Sequence, residues 1–279
     1  MKRIKFLSIT PGAFLVGMLA LMVSCTKDFE SINTNKNAIA VIGPAQLPFL
    51  LSQAESAAPN SQWNYQVAQN LFADQYAQYF ACEATYFGSD RLVINQNWVG
   101  AAFNPMYNTV VPQLQSIFTA SDPNSAEYQI ANIWWVYTFH RVTDYWGPIP
   151  YFNAGQSALS VAYDPQDKIY YDFFDRLKTA VTILNNHTSE TPYGSYDIVF
   201  GGNVGNWIKF ANSLRLRLAL RISNVDPTRA QAEAEAALTL PSIGLRTCSL
   251  PALYKNDVVR NLPRHFWVLS IQSLHRCSR

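Results

Sequence analysis

Six side chains with the chemistry of a recognition surface stand close together in one non-helical stretch: Tyr86, Phe87, Arg91, Asn95, Asn97 and Trp98. An aromatic face accepts the C–H face of a sugar ring, and Arg and Asn pair with hydroxyls. Gly88-Ser-Asp90 marks a turn inside the stretch, which places the six in a loop over residues 83–98. The same residues also suit a loop whose aromatics cover helix ends, with Trp98 starting the next helix. Other reactive side chains are scattered. His140, His187, His265 and His275 lie far apart. Cys25, Cys82, Cys248 and Cys277 form no CxxC pair, so neither a zinc site nor a redox motif is indicated. Asp172 and Asp175 share a helix face without any sign of a common cleft. Asp164 and Asp167 read as helix-cap residues. No GxSxG, HExxH or phosphate loop occurs, and Gly201-Gly202 lacks the lysine of such a loop. The chain is expected to bind rather than catalyse, with no metal and no cofactor.

The elements that must hold this loop are helical. The 279 residues are 49% hydrophobic and only 14% charged, enough for a sizeable core. Aromatic residues reach 14%, of which helix packing takes the larger part. The stretch from Trp134 to Ala154 organises the rest. Ile130, Trp134, Tyr137, Arg141 and Tyr145 recur at spacings of three and four, and Trp135, Phe139 and Val142 add a second apolar face. A helix apolar on two faces packs between other helices. Gly147-Pro148 stops it, and Ile149-Pro150-Tyr151 must run extended.

Around it the spacing predicts helices over 45–58 and 62–82. The second carries an imperfect stripe of Val67, Leu71, Asp74/Gln75, Gln78 and Phe80, with Cys82 as a buried apolar residue at its end. A helix over 99–120 is interrupted at Pro105 and Pro112, and the central helix begins near Ser125. Asp164 is placed to cap a helix with Pro165 at its first position. Tyr170, Phe173, Phe174, Leu177, Ala180, Val181 and Leu184 then hold the spacing for four turns. Gly201-Gly202 makes a turn. Beyond it Trp207, Phe210, Ala211, Leu214, Leu218 and Ile222 line one face, while Arg215, Arg217 and Arg221 are expected to snorkel or to pair with carboxylates. Asp226-Pro227 starts one more helix with the same cap.

Several of these stretches carry a resemblance. Arg141-Val-Thr-Asp-Tyr-Trp-Gly-Pro-Ile-Pro-Tyr151 resembles the RVTDxWGxIPY signature of the SusD/RagB-like outer-membrane lipoproteins, in the SusD-like subgroup with tetratricopeptide-type helices. Residues 28–37 resemble that family's FxxINTNPN start, with Lys36 in place of Pro. The helix from Tyr170 matches another family element, and residues 196–223 resemble the long pattern DxxFGGxxxxWxKFANSLRLRLALRIS. The resemblance implies an all-α fold of stacked helix hairpins with long irregular loops. It implies a non-enzymatic, surface-exposed lipoprotein that binds oligosaccharides and passes them to a TonB-dependent, SusC-like outer-membrane transporter. In that family the helical face meets the transporter and the loop-rich face meets the glycan, often through the loop between the early helices. A helical protein-interaction scaffold without a glycan ligand is the alternative.

The ends differ from the body. Lys2, Arg3 and Lys5 precede an apolar run that ends in Leu21-Met-Val-Ser-Cys25, which reads as a lipoprotein signal over 1–24 with lipidation at Cys25. An ordinary secretory signal with an incidental Cys is the other reading. Residues 25–44 form a tether, and Lys27 with the acids behind it resembles a surface-export signal. By the resemblance, 45–240 is the N-terminal part of the helical domain, and the family's continuation is lacking after it. Residues 241–279 are basic, hold two of the Cys and show no stable period; a frameshift near residue 240 and a short form with its own tail both account for them. The body between signal and tail holds more acidic than basic side chains, which excludes a nucleic-acid-binding face.

Overall fold

The structure, a computed structural model, describes residues 42–59, 63–156 and 158–238. The signal, Cys25, the tether up to residue 41 and the tail after residue 240 lie outside the described residues. Helix α1 is Leu47–Ala57. Helix α2 is a composite of Trp63–Tyr65, a π-helical middle Gln66–Ala73, and Asp74–Tyr76. Helix α3, Gln96–Pro105, continues through a π-helical segment, Met106–Val110, into α4, Val111–Ala120. Then follow α5 (Ala126–Trp146), α6 (Gln166–Leu184), α7 (Val204–Arg221) and α8 (Pro227–Leu238). The pairs α1–α4, α2–α3, α5–α6, α6–α7 and α7–α8 pack against each other. The fold is all-α, a stack of helix pairs joined by long irregular loops.

Helix α5 is the centre of the stack. Ser125 caps it by accepting the Tyr128 N–H at 3.2 Å, and Gly147 ends it at φ +71°, a left-handed turn that favours glycine. Every residue from Gln129 to His140 is buried. The two apolar faces meet two different sets of rings. Trp134 packs edge-on to Trp207 of α7 at 5.9 Å, and its indole N–H donates to the Ala54 carbonyl of α1 at 3.0 Å. Trp135 and Phe139 meet Tyr151 at 5.9 and 5.1 Å. Burying each such ring contributes about 1.5–3 kcal/mol.

The RVTDYWGPIPY residues clamp neighbours. Arg141 donates to Gln69 Oε1 of α2 at 3.3 Å. Thr143 donates to the Gly147 carbonyl at 2.6 Å and fixes the turn. Asp144 accepts from Tyr170 of α6 at 2.5 Å and pairs with Arg221 of α7 at 3.0 Å. Tyr151 donates to Asp172, which Arg176 also holds at 2.6 Å. Arg215 pairs with buried Glu233 of α8 at 2.5 Å, so Arg215 and Arg221 meet carboxylates as expected.

Three expectations need correction. Helix α2 stops at Tyr76 rather than residue 82, because Gln78 turns left-handed (φ +61°) and Tyr79 N–H returns to the Asp74 carbonyl at 2.8 Å. Cys82 therefore lies beyond the helix and is half-buried. Asp164 does not cap α6: its Oδ2 accepts the Tyr151 and Phe152 N–H groups, both at 2.9 Å, and Pro165 takes the cap position. Asp226 does cap α8, accepting the Arg229 N–H at 3.0 Å.

Candidate functional site

The six residues singled out above gather at one junction, the loop 77–95 and the first turn of α3. The late part of α2 and the later turns of α3 both meet the end of α5 close by, with Phe72 against Tyr145 at 5.5 Å and Phe103 against Trp146 at 5.2 Å. Tyr86 lies 4.3 Å from Phe87, and Phe87 lies 5.6 Å from Trp98, so three rings run in contact along the surface. Tyr86 is 79% exposed, a costly arrangement for a large ring unless something covers it. Asn97 and Trp98 belong to α3, as the reading of Trp98 as a helix start expects.

The polar members are differently engaged. Asn95 caps α3, its Oδ1 accepting the Asn97 N–H at 3.1 Å. Arg91 donates through Nη2 to the carbonyls of Thr85 and Phe87 at 2.8 and 3.0 Å. Its Nη1 sits 3.4 Å from Asp90 Oδ1, and Asp90 Oδ2 accepts the Cys82 N–H at 3.1 Å. The guanidinium thus ties the turn that carries Tyr86 and Phe87. A tight turn at Gly88 completes it: a Cβ there would lie 2.9 Å from Val93 Cβ.

Residues that the sequence reading missed extend the surface. Phe80, Leu92, Val93 and Ile94 are exposed, Leu92 and Ile94 by more than 60%. Leu92 adopts φ +62°. An apolar triplet inside an otherwise polar loop was the available signal. Phe152 and Tyr163 are also exposed, on the loop after α5, whose Pro150 and Ala154 carbonyls accept from Tyr107 and Gln115 farther along the α3–α4 rod. The surface is a platform rather than a cavity. The described residues do hold a groove of about 260 Å³, lined by Pro44, Leu47, Ser121, Asp122, Glu127 and Tyr193, but it lies at the far end of the α3–α4 rod.

Catalytic groupings do not form around the carboxylates considered above. Asp172 faces Tyr151 and Arg176, whereas Asp175 meets Arg229 at 3.3 Å. Among the described residues, no three His, Cys, Asp or Glu side chains gather as metal ligands would. No described helix is long and apolar enough to cross a membrane.

An all-helical stack with a signature-bearing central helix and an aromatic loop at one end defines a scaffold of known type. The chain belongs to the SusD-like family: the sequence model described as Susd and RagB outer membrane lipoprotein matches residues 30–251. A SusD homolog from Bacteroides uniformis is 31% identical with a TM-score of 0.63, over 70% of this chain and 41% of its own. A chitin-binding SusD homolog from Flavobacterium johnsoniae is 31% identical with a TM-score of 0.59, over 70% and 42%. A SusD homolog from Bacteroides vulgatus is 31% identical with a TM-score of 0.61, over 69% and 42%. The chain therefore spans about two fifths of the length of these solved relatives. No curated protein matches it.

Proposed function

We propose that the protein is a cell-surface lipoprotein of the outer membrane that captures oligosaccharides or similar nutrients and delivers them to a TonB-dependent, SusC-like transporter. The observation that carries this is the ring series Tyr86–Phe87–Trp98, exposed at Tyr86 and half-buried at Phe87 and Trp98, set on a turn that Arg91 and Asp90 hold. Contiguous surface rings suit sugar units, which stack by their C–H faces without bond breaking. A family of outer-membrane lipoproteins and a chitin-binding relative support the same reading. Attachment is assigned to lipidated Cys25 after the signal 1–24, with residues 25–44 as tether and 45–240 as the N-terminal part of the helical domain.

The test is a glycan array on the lipid-free chain, repeated with Tyr86→Ala and Trp98→Ala. Binding that both variants weaken is expected. A blank array, or sugar release from a polysaccharide by the purified chain, would overturn the reading. The exposed triplet Leu92-Val93-Ile94 favours a second reading, a protein-interaction scaffold without a glycan ligand. A blank array beside a retained transporter complex would select it.

A further inference from the structure

Among the described residues, the segment that carries the platform is almost without positive charge. Between Lys36 and Arg141 the sequence holds one cation, Arg91, against Glu55, Asp74, Glu83, Asp90, Asp122 and Glu127. Arg91 is already engaged. Both N–H groups of its Nη2 point at backbone carbonyls, and Nη1 faces Asp90. The loop after α5, residues 147–165, contains no Lys or Arg. Among the described residues the other positive groups on this side are Arg141 of α5, already bonded to Gln69 of α2, and the N-terminus of α3, where Asn95 Oδ1 accepts the Asn97 N–H. Glu83 is exposed within the loop itself.

An anionic sugar laid across these rings would give up hydration without gaining a charge-assisted partner, and would meet Glu83 and Asp90. A neutral sugar gives up less. Its C–H faces stack on Tyr86, Phe87 and Trp98, and its hydroxyls reach the exposed amides of Gln96 and Asn97. We infer that the platform selects neutral oligosaccharide chains over uronate-bearing or sulfated ones, with Arg91 as the positioning residue of the Tyr86–Phe87 turn rather than a ligand contact. This rests on the glycan-binding reading above.

The experiment compares binding of neutral chains (chito-, xylo- and gluco-oligosaccharides) with polygalacturonate and chondroitin sulfate fragments at low ionic strength, where charge effects are largest. Neutral chains should bind at least about ten-fold tighter, a gap of about 1.4 kcal/mol. Glu83→Lys, a surface exchange whose folding is checked by its melt, should narrow that ratio. Arg91→Gln should weaken neutral binding and leave the ratio unchanged, because the rings shift but no anion contact is lost. Equal or tighter binding of the anionic chains by the wild type would overturn the inference while keeping the glycan reading. A selective loss of anionic binding in Arg91→Gln would overturn the role given to Arg91. Binding of neither class would remove the glycan reading and this inference together.

Discussion

Two loops of equal span leave the helical stack and fold in opposite senses. Residues 185–203, between α6 and α7, wrap inward around a carboxylate. Asp197 is 2% exposed and accepts four donors: the Val199, Phe200 and Gly202 N–H groups at 2.9–3.0 Å and the Trp207 indole at 2.6 Å. Beside it buried Glu55 of α1 accepts the Ile198 N–H at 2.9 Å, and Ser52 donates to the Tyr196 carbonyl. Residues 77–95, between α2 and α3, instead wrap outward around the Arg91 guanidinium, and the bonds described above stay within the loop and the adjoining helix ends. A buried acceptor draws backbone donors and a neighbouring helix onto itself, because each unpaired donor in a dry interior is costly. A partly exposed cation draws only its own loop, because water competes for every other partner. One loop is welded to the core; the other is shaped but left on the surface, where a ligand can reach its rings.

This contrast can be broken most sharply at Asp197. Replacing it with Ala strands four donors, two of them fully buried, and urea unfolding should show a loss of about 3 kcal/mol. Gly202→Ala should be next, at about 2 kcal/mol in the same assay. Gly202 holds φ +77°, and a Cβ would lie 2.8 Å from the Pro192 carbonyl oxygen. A pH series then sharpens the comparison. Burial, with Asp197 beside it, pushes the Glu55 carboxyl from 4.5 up to about 9. The folded protein keeps a proton that the unfolded chain gives up, so this contribution to stability is complete below about pH 4.5 and is lost as pH rises through about 9. Glu55→Gln cannot titrate; its stability relative to the wild type should climb over that window in thermal melts, and parallel profiles would sink the account. The smallest effect on folding is expected in the outer loop. Tyr86→Ala should leave unfolding within about 0.5 kcal/mol of the wild type, while binding of a neutral oligosaccharide falls about ten-fold.

The helices were legible because their burial is periodic. The α6 face from Tyr170 to Leu184 and the α7 face through Trp207 and Leu218 read directly from three–four spacing, and Ser125 and Gly147 mark the ends of α5. The same dipeptide misled in one of its two appearances. Asp226-Pro227 caps a helix, whereas Asp164-Pro165 gives its carboxylate to residues 151 and 152, and only the fold places those N–H groups within reach. The end of α2 was hidden for a related reason: Gln78 takes a conformation that glycine would have advertised. At the platform, residue types announced the rings and their neighbourhood. They did not reveal that Arg91 and Asn95 already have partners, since that depends on carbonyls and amides that sequence does not display. The Glu55–Asp197 pairing joins positions far apart in the chain, and no local pattern foretells it.

The Asp164 carboxylate has one more consequence. Ile149 and Asp164 also exchange backbone hydrogen bonds at 2.8 and 3.3 Å, so the segment between them is closed at its neck as a buckle closes a strap. Inside the buckle Tyr151 and Ala154 are buried against the helices, the Ala154 carbonyl accepting from Gln115 at 2.9 Å, which leaves 158–163 as a largely exposed segment. Lengthening that segment costs little, about 0.6 kcal/mol for each doubling of its length. That segment can therefore carry a grafted epitope or a reporter peptide without loosening the fold.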